Sequence, residues 1–149
     1  MNNYDYRVNL VDDYLKKLNL SNEIKKYYSG RNILVTGGAG AIGSNLVTTL
    51  SKLVGNDGMI IVLDNLSAIK GNEPIDLPPL SNMMFVNGDV RNDIDLKRFF
   101  REKPTIIFHL AAFFANQNSV DYPETSADVD IHGMIKLLDL AQFTDVDKF

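Results

Sequence analysis

Apolar residues fall into two rhythms along this chain, and one gives way to the other near residue 31. Before it the spacing is helical: Val11, Tyr14, Leu15 and Leu18 share one face of a helix expected over residues 8–19, with Asp12–Lys16 and Asp13–Lys17 as acid-first pairs four apart. Ser21 is placed to cap a second helix ending near Tyr28, where "SGRN" stops it. After residue 31 the short β-branched runs "NILVT" and "MIIVLD" read as parallel strands covered on both faces, and "NLVTTLSKLV" between them repeats at helical spacing. "NMMFVNGD" predicts a third strand, "RNDIDLKRFFREK" a helix offering Ile94, Leu96, Phe99 and Phe100 for burial, and "TIIFHLAA" a fourth strand. A long helix is expected between Pro123 and Phe143, with Val129, Met134, Leu137, Leu138 and Ala141 on its apolar side.

Strands alternating with helices of these lengths predict an α/β fold, a doubly wound parallel sheet over residues 31–149 preceded by a helical extension over residues 1–30. The extension reads as an arm packed on the domain or on a partner subunit, with a ligand-binding lid as the alternative. Residues 65–81, "NLSAIKGNEPIDLPPLS", carry three prolines and read as an irregular surface excursion. No internal repeat or low-complexity linker divides the chain.

Composition narrows the partners. A 149-residue chain that is 45% hydrophobic can bury one substantial core. Its net charge of −4, without a long basic run, argues against nucleic acid or an anionic membrane as the main partner. The absence of cysteine removes disulfides and thiolate metal sites and suits a reducing cytoplasm, and the two histidines, His109 and His132, lack ligand-like spacing. No apolar stretch approaches the ~18 residues that span a bilayer, and "MNNYDYR" has no signal-peptide character. A soluble, cytoplasmic protein without a metal is expected.

An anionic ligand would then need a local device, and "ILVTGGAGAIGSNLV" supplies one. Gly37 allows a tight turn off the first strand, Gly40 lets the backbone approach a pyrophosphate, and Gly43 lets the helix pack against the strand. Backbone N–H groups around Ala41 and Ile42 open a helix whose positive end favours a diphosphate. Gly38, Gly40 and Gly43 also satisfy a looser GxGxxG pattern, weak on its own, but here a strand precedes it, a helix follows, and Asp64 ends the next strand about 20 residues on. Dinucleotide binding is expected, the alternative being a glycine-rich structural turn. Asp64 can accept from the adenosine ribose hydroxyls and would repel a 2′-phosphate, so NAD is expected over NADP.

These residues resemble a known family. "TGGAGAIG" has the T-G-x-x-G-x-x-G form of short-chain dehydrogenases/reductases, and "VLDNLS", "GDVRN" and "FHLAA" are similar to successive landmarks of the extended branch, the NAD-dependent epimerases and dehydratases of nucleotide sugars. "SVDYPETSADVDIHGMIKLLDLA" resembles the helix that follows them; the likeness spans about residues 31–149 and leaves out 1–30. It implies an incomplete Rossmann-like fold, with Asp64 and Asn65 at the adenosine ribose, Asp89 accepting from the adenine amino group beside Val90, and Leu110, Ala111 and Ala112 lining the cofactor. Asp89, following Gly88, also suits a turn or cap; Ala111 and Ala112 also suit packing, and His109 a structural role.

Two positions depart from the family pattern. Asp130 stands where the family usually has Asn, near the nicotinamide ribose, and "FFANQ" follows Ala112 where a polar residue is more usual. The family's chemistry uses a Tyr followed four places later by Lys, and no such pair occurs in this sequence. With "DKF" falling where a fifth strand should start, the chain reads as the NAD-binding part of a longer nucleotide-sugar epimerase or dehydratase, catalytically inert alone and homo-oligomeric. The alternative is a non-catalytic dinucleotide-binding sensor or assembly module.

Overall fold

The computed structural model describes residues 3–68, 77–113 and 116–149. Four parallel strands form one sheet in the order β3-β2-β1-β4: β1 Asn32–Thr36, β2 Met59–Asp64, β3 Met83–Asn87 and β4 Ile106–His109. Val35 pairs with Val62 on one side and Phe108 on the other, so β1 is central. Beyond β4 a single parallel bridge joins Ile106 to Lys148.

Alternation along the strands feeds two cores. Ile33, Val35, Ile60, Val62 and Ile106 point to one face, where Val47, Leu50 and Val54 of helix α3 (Ala41–Val54) cover them. Leu34, Ile61, Leu63 and Ile107 point to the other, under Leu96, Phe99 and Phe100 of α4 (Asp93–Phe100) and Leu137 of α7 (Gly133–Gln142). A sheet buried on both faces explains why its strands read as continuous apolar runs.

The helices depart from the sequence reading in phase more than in place. Helix α1 spans Asn3–Leu18 and turns Val8, Val11 and Leu15 inward, leaving Tyr14 60% exposed and Leu18 outside as well. Helix α2 is Asn22–Tyr28, its first turn held by Ser21 Oγ accepting from the Ile24 amide at 3.3 Å. Ile94 is 77% exposed, because at about 100° per residue it lies opposite Leu96, Phe99 and Phe100. The long helix is three joined pieces, α6 (Pro123–Ala127), a π-helical turn over Asp128–His132, and α7, preceded by a short α5 (Asn116–Asp121) with no counterpart in the periodicity. Gly133 sits against Val90 and fixes the inward face on Val129, Leu137 and Ala141; Met134 and Leu138, one residue further round, are exposed. Of the expected surface excursion, 69–76 lie outside the described residues, and its far end returns to bury Leu77.

Candidate functional site

Three loop regions meet at the C-terminal ends of the strands, one after β1, one formed together after the neighbouring β2 and β3, and one after β4. The first leaves β1 at Gly37, whose φ of +68° excludes other residues without strain and whose amide donates to the Leu63 carbonyl at 2.8 Å. A Cβ there would stand 2.6 Å from the backbone of Leu110 and Ala111, so the turn is pressed against the end of β4. At Gly43 a Cβ would lie 2.3 Å from the Gly37 carbonyl oxygen and 2.6 Å from Gly38 Cα. The close approach expected of Gly43 is thus to the glycine loop's own backbone rather than to the strand.

Gly40 is different. Its φ of −74° suits any residue, and a Cβ would meet only the Gly37 oxygen, at 3.3 Å. Backbone strain does not account for glycine here, and the near contact is with that one backbone oxygen; the space otherwise open around it suits a ligand laid against the main chain. Gly40 is also the N-cap of α3, with no side-chain cap, and Ala41 and Ile42 are exposed. First-turn amides lacking intrahelical partners give this end of the helix partial positive charge. Nearby, Ser44 Oγ is buried with no hydrogen-bond partner.

Asp64 ties this loop to β2. One carboxylate oxygen accepts from the Ala39 amide at 2.9 Å, the other from Leu66 at 2.8 Å, which leaves each oxygen one acceptor position toward the cleft. Asn65, next along, donates to Asp89 at 3.0 Å and accepts from the Ser67 amide. Asp89 leaves β3 through Gly88 and is gripped by Arg91, whose Nε and Nη2 reach its two oxygens at 2.9 and 2.7 Å. These hydrogen bonds hold the Asp89 carboxyl far below the usual carboxylate range, against the opposing cost of burial. These contacts show the turn role considered for Asp89. The Val90 side chain is 4% exposed and packs on Gly133, so it belongs to the core.

The third loop follows β4. The Leu110 amide donates to the Thr36 carbonyl at 3.0 Å, and Ala111 to Thr36 Oγ1 at 3.3 Å. Thr36 Oγ1 also shares a 2.6 Å hydrogen bond with His109 Nδ1, and burial pushes the His109 pKa down against the nearby Asp130 charge. Leu110 and Ala112 are exposed, whereas Ala111 is half-buried against the core. Asp130 projects from the π-helical turn toward this loop, accepting from the Phe113 amide at 2.7 Å and from Ser126 Oγ at 3.0 Å. In "FFANQ", Phe114 and Ala115 lie outside the described residues.

All thirteen residues singled out in the sequence lie on or beside these three loops or the helices they open. Thr36, Arg91 and Ser126 were missed. Only Arg91 left a signal, an Asp-x-Arg spacing in "GDVR" that lets a guanidinium fold back on the carboxylate two places before it.

The family model described as GDP-mannose 4,6 dehydratase matches residues 34–149. A putative UDP-glucose 4-epimerase of Methanocaldococcus jannaschii is 40% identical over 117 residues, covering 78% of this chain and 35% of that relative. Among solved structures, an epimerase of Methanothermobacter thermautotrophicus superposes with a TM-score of 0.75 at 46% identity, covering 83% of this chain and 35% of that one. The Bordetella bronchiseptica enzyme WbmF, solved in complex with NAD+, gives 0.71 at 30% identity, covering 81% and 35%. The chain spans about a third of the length of these relatives. It belongs to the family described as GDP-mannose 4,6 dehydratase, among the NAD-dependent epimerases and dehydratases of the short-chain dehydrogenase/reductase type.

Proposed function

We propose that this chain is the NAD-binding part of a cytoplasmic nucleotide-sugar epimerase or dehydratase. The observation that carries the reading is Gly40, a glycine that backbone strain does not demand and beside which a Cβ would meet one backbone oxygen and otherwise open space, at the uncapped start of α3. The residues present fit the cofactor: Gly37, Gly40, Ala41, Ile42 and Gly43 cradle its diphosphate, Asp64 and Asn65 its adenosine ribose, and Asp89 with the backbone of Val90 its adenine. Leu110, Ala111, Ala112 and Asp130 line the nicotinamide end. NAD supplies reversible hydride acceptance from a sugar carbon; the residues here bind and orient it. A related UDP-glucose 4-epimerase of Thermotoga maritima, solved with UDP-glucose, supports a nucleotide-sugar substrate. Among the described residues, Ile131, Met134, Ile135 and Leu138 leave an exposed apolar stripe, which supports association with a second copy.

Titration with both dinucleotides tests this. Asp64 should favour NAD by roughly 100-fold, from about 3 kcal/mol of repulsion of a 2′-phosphate at an effective dielectric near 20. Gly40→Ala should cost about 1 kcal/mol of stability yet weaken NAD tenfold or more. Unchanged NAD affinity in folded Gly40→Ala protein would refute the cradle. The chain alone should not turn over UDP- or dTDP-sugars.

A further inference from the structure

Building on the NAD reading above, we propose that Arg91 is a positioning residue that fixes Asp89 so that a single acceptor position, now held by Asn65, is open to an amino group on the base and closed to an oxo group. An ionised carboxylate offers about four acceptor positions. At Asp89 all four are taken: Oδ1 accepts from the Arg91 amide and Nε, each at 2.9 Å, and Oδ2 from Arg91 Nη2 at 2.7 Å and Asn65 Nδ2 at 3.0 Å. Three of the four donors thus belong to one residue. A fork of this kind fixes the plane of the carboxylate as well as its charge.

Arg91 is itself held in place. Its carbonyl accepts from Lys136 Nζ at 2.6 Å, and its Nη1 lies 3.7 Å from Asp128. The Asp89 amide donates to Asp95 Oδ2 at 3.0 Å, so the backbone is pinned too. Asn65 is the weak member. It is exposed and reaches Asp89 through one amide hydrogen, and rotation about its side chain breaks that contact without disturbing the fork.

An incoming donor therefore replaces Asn65, at the cost of its contact to Asp89 and of the one it accepts from the Ser67 amide. A 6-amino purine brings such a donor to the carboxylate, while a 6-oxo purine sets an acceptor at that position and carries its N–H one ring atom away, at N1, off the line of the fixed acceptor. Discrimination at this end of the cleft then depends on Arg91 through Asp89, and Asn65 opposes it. The ribose and diphosphate contacts are common to both dinucleotides and cancel in their ratio.

The test compares NAD with nicotinamide hypoxanthine dinucleotide, in which a 6-oxo group and a protonated N1 replace the 6-amino group and the bare N1, by calorimetric titration of the chain. The wild type should prefer NAD by on the order of 10- to 100-fold, the scale of a hydrogen bond to a charged acceptor. Arg91→Ala should lower that ratio to roughly 3-fold or less, and Asn65→Ala should raise it roughly 5-fold. Arg91→Lys, which keeps the charge but not the fork, should fall with the alanine variant and decides the matter if Arg91→Ala does not fold. An unchanged ratio in the Arg91 variants, with both dinucleotides weakened equally, would mean a purely structural arginine and overturn the proposal. Equal binding of the two by the wild type would overturn it as well, leaving NAD binding intact. If neither binds, the NAD reading falls, and this one with it.

Discussion

The two ends of the sheet solve the same problem with opposite chemistry. Helices α3 and α4 begin beyond the ends of β1 and β3, so their unpaired N–H groups gather at the C-terminal ends of the strands and their unpaired carbonyls at the other. At the carbonyl end the chain supplies donors: Asn32 Nδ2 reaches the Glu102 carbonyl at 2.7 Å, Asn82 Nδ2 reaches Ser51 and Gly55 at 2.8 Å, and Arg31 Nε reaches Tyr27 at 2.6 Å. Arg31 also pairs with Asp147 and lies 4.4 Å over the Tyr27 ring, so α2 and the segment leading to Lys148 are fastened at that end. At the amide end it supplies acceptors: Asp64 for Ala39 and Leu66, Asp95 for Asp89, and Asp130 for Phe113. The difference is that side chains reach several carbonyls at the first end, while at the second Gly40 leaves the start of α3 without a side-chain cap.

The comparison breaks most sharply at Gly43. Gly43→Ala would force a Cβ to within 2.3 Å of the Gly37 oxygen, a backbone atom that cannot step aside while Gly37 is pressed on Leu110. The expected loss is about 3 kcal/mol or more in urea denaturation. A loss below about 1 kcal/mol would show that the amide end is looser than its contacts imply.

At the carbonyl end the largest effect should come from Asn82. Besides its two donated hydrogen bonds, Asn82 Oδ1 accepts from Ser51 Oγ at 2.7 Å, joining the end of α3 to the start of β3. Asn82→Ala should cost about 2 kcal/mol. Asn82→Asp should cost at least as much, since a carboxylate cannot donate and would face two carbonyls. Thermal unfolding of the pair checks it, and a harmless Asn82→Asp would erase the contrast between the ends.

How much of this was legible in sequence depends on whether backbone or side chain does the work. The strands, the glycine turn and Asp64 were readable, because β-branched runs and a fixed interval to an acidic strand end are linear signals. Ile94 and Leu138 were misassigned, because inclusion in an apolar set says nothing of which side of a helix packs; that is set by neighbours such as Val90 against Gly133. The π-helical turn at Asp128–His132 was invisible for the same reason. Thr36 was passed over because its role closes to His109 over 73 positions, and Arg91 because the Asp-x-Arg spacing permits the rotamer that folds back on Asp89 without fixing it.

A pH dependence should appear at the amide end. Burial lowers the His109 pKa from its ordinary value near 6.5, so the folded chain keeps this ring neutral where the unfolded chain protonates it. That stability is fully present above about pH 6.5 and is lost as pH falls toward the lower, folded value. Melting temperature should therefore drop between pH 7 and 5 by roughly 1–2 °C more in the wild type than in His109→Gln. Parallel curves would show that the ring is neither desolvated nor coupled to folding.

The smallest effect is expected at Asp130, and it tests the rule for the amide end most finely. What Phe113 requires there is an acceptor, and the 2.7 Å contact is met by one oxygen alone. In Asp130→Asn the retained Oδ1 still accepts from Phe113, while the new amide donates to Ser126 Oγ, which can accept as readily as it now donates. Exchange in this direction should shift stability by less than about 0.5 kcal/mol, whereas Asp130→Ala removes the acceptor and should cost about 1–2 kcal/mol. Asp130→Asn and Asn82→Asp are reverse exchanges of the same two side chains at opposite ends of one sheet. If denaturation of both shows equal losses, generic disruption outweighs the polarity of the helix ends; if only Asn82→Asp is harmful, polarity governs which side chain each end accepts.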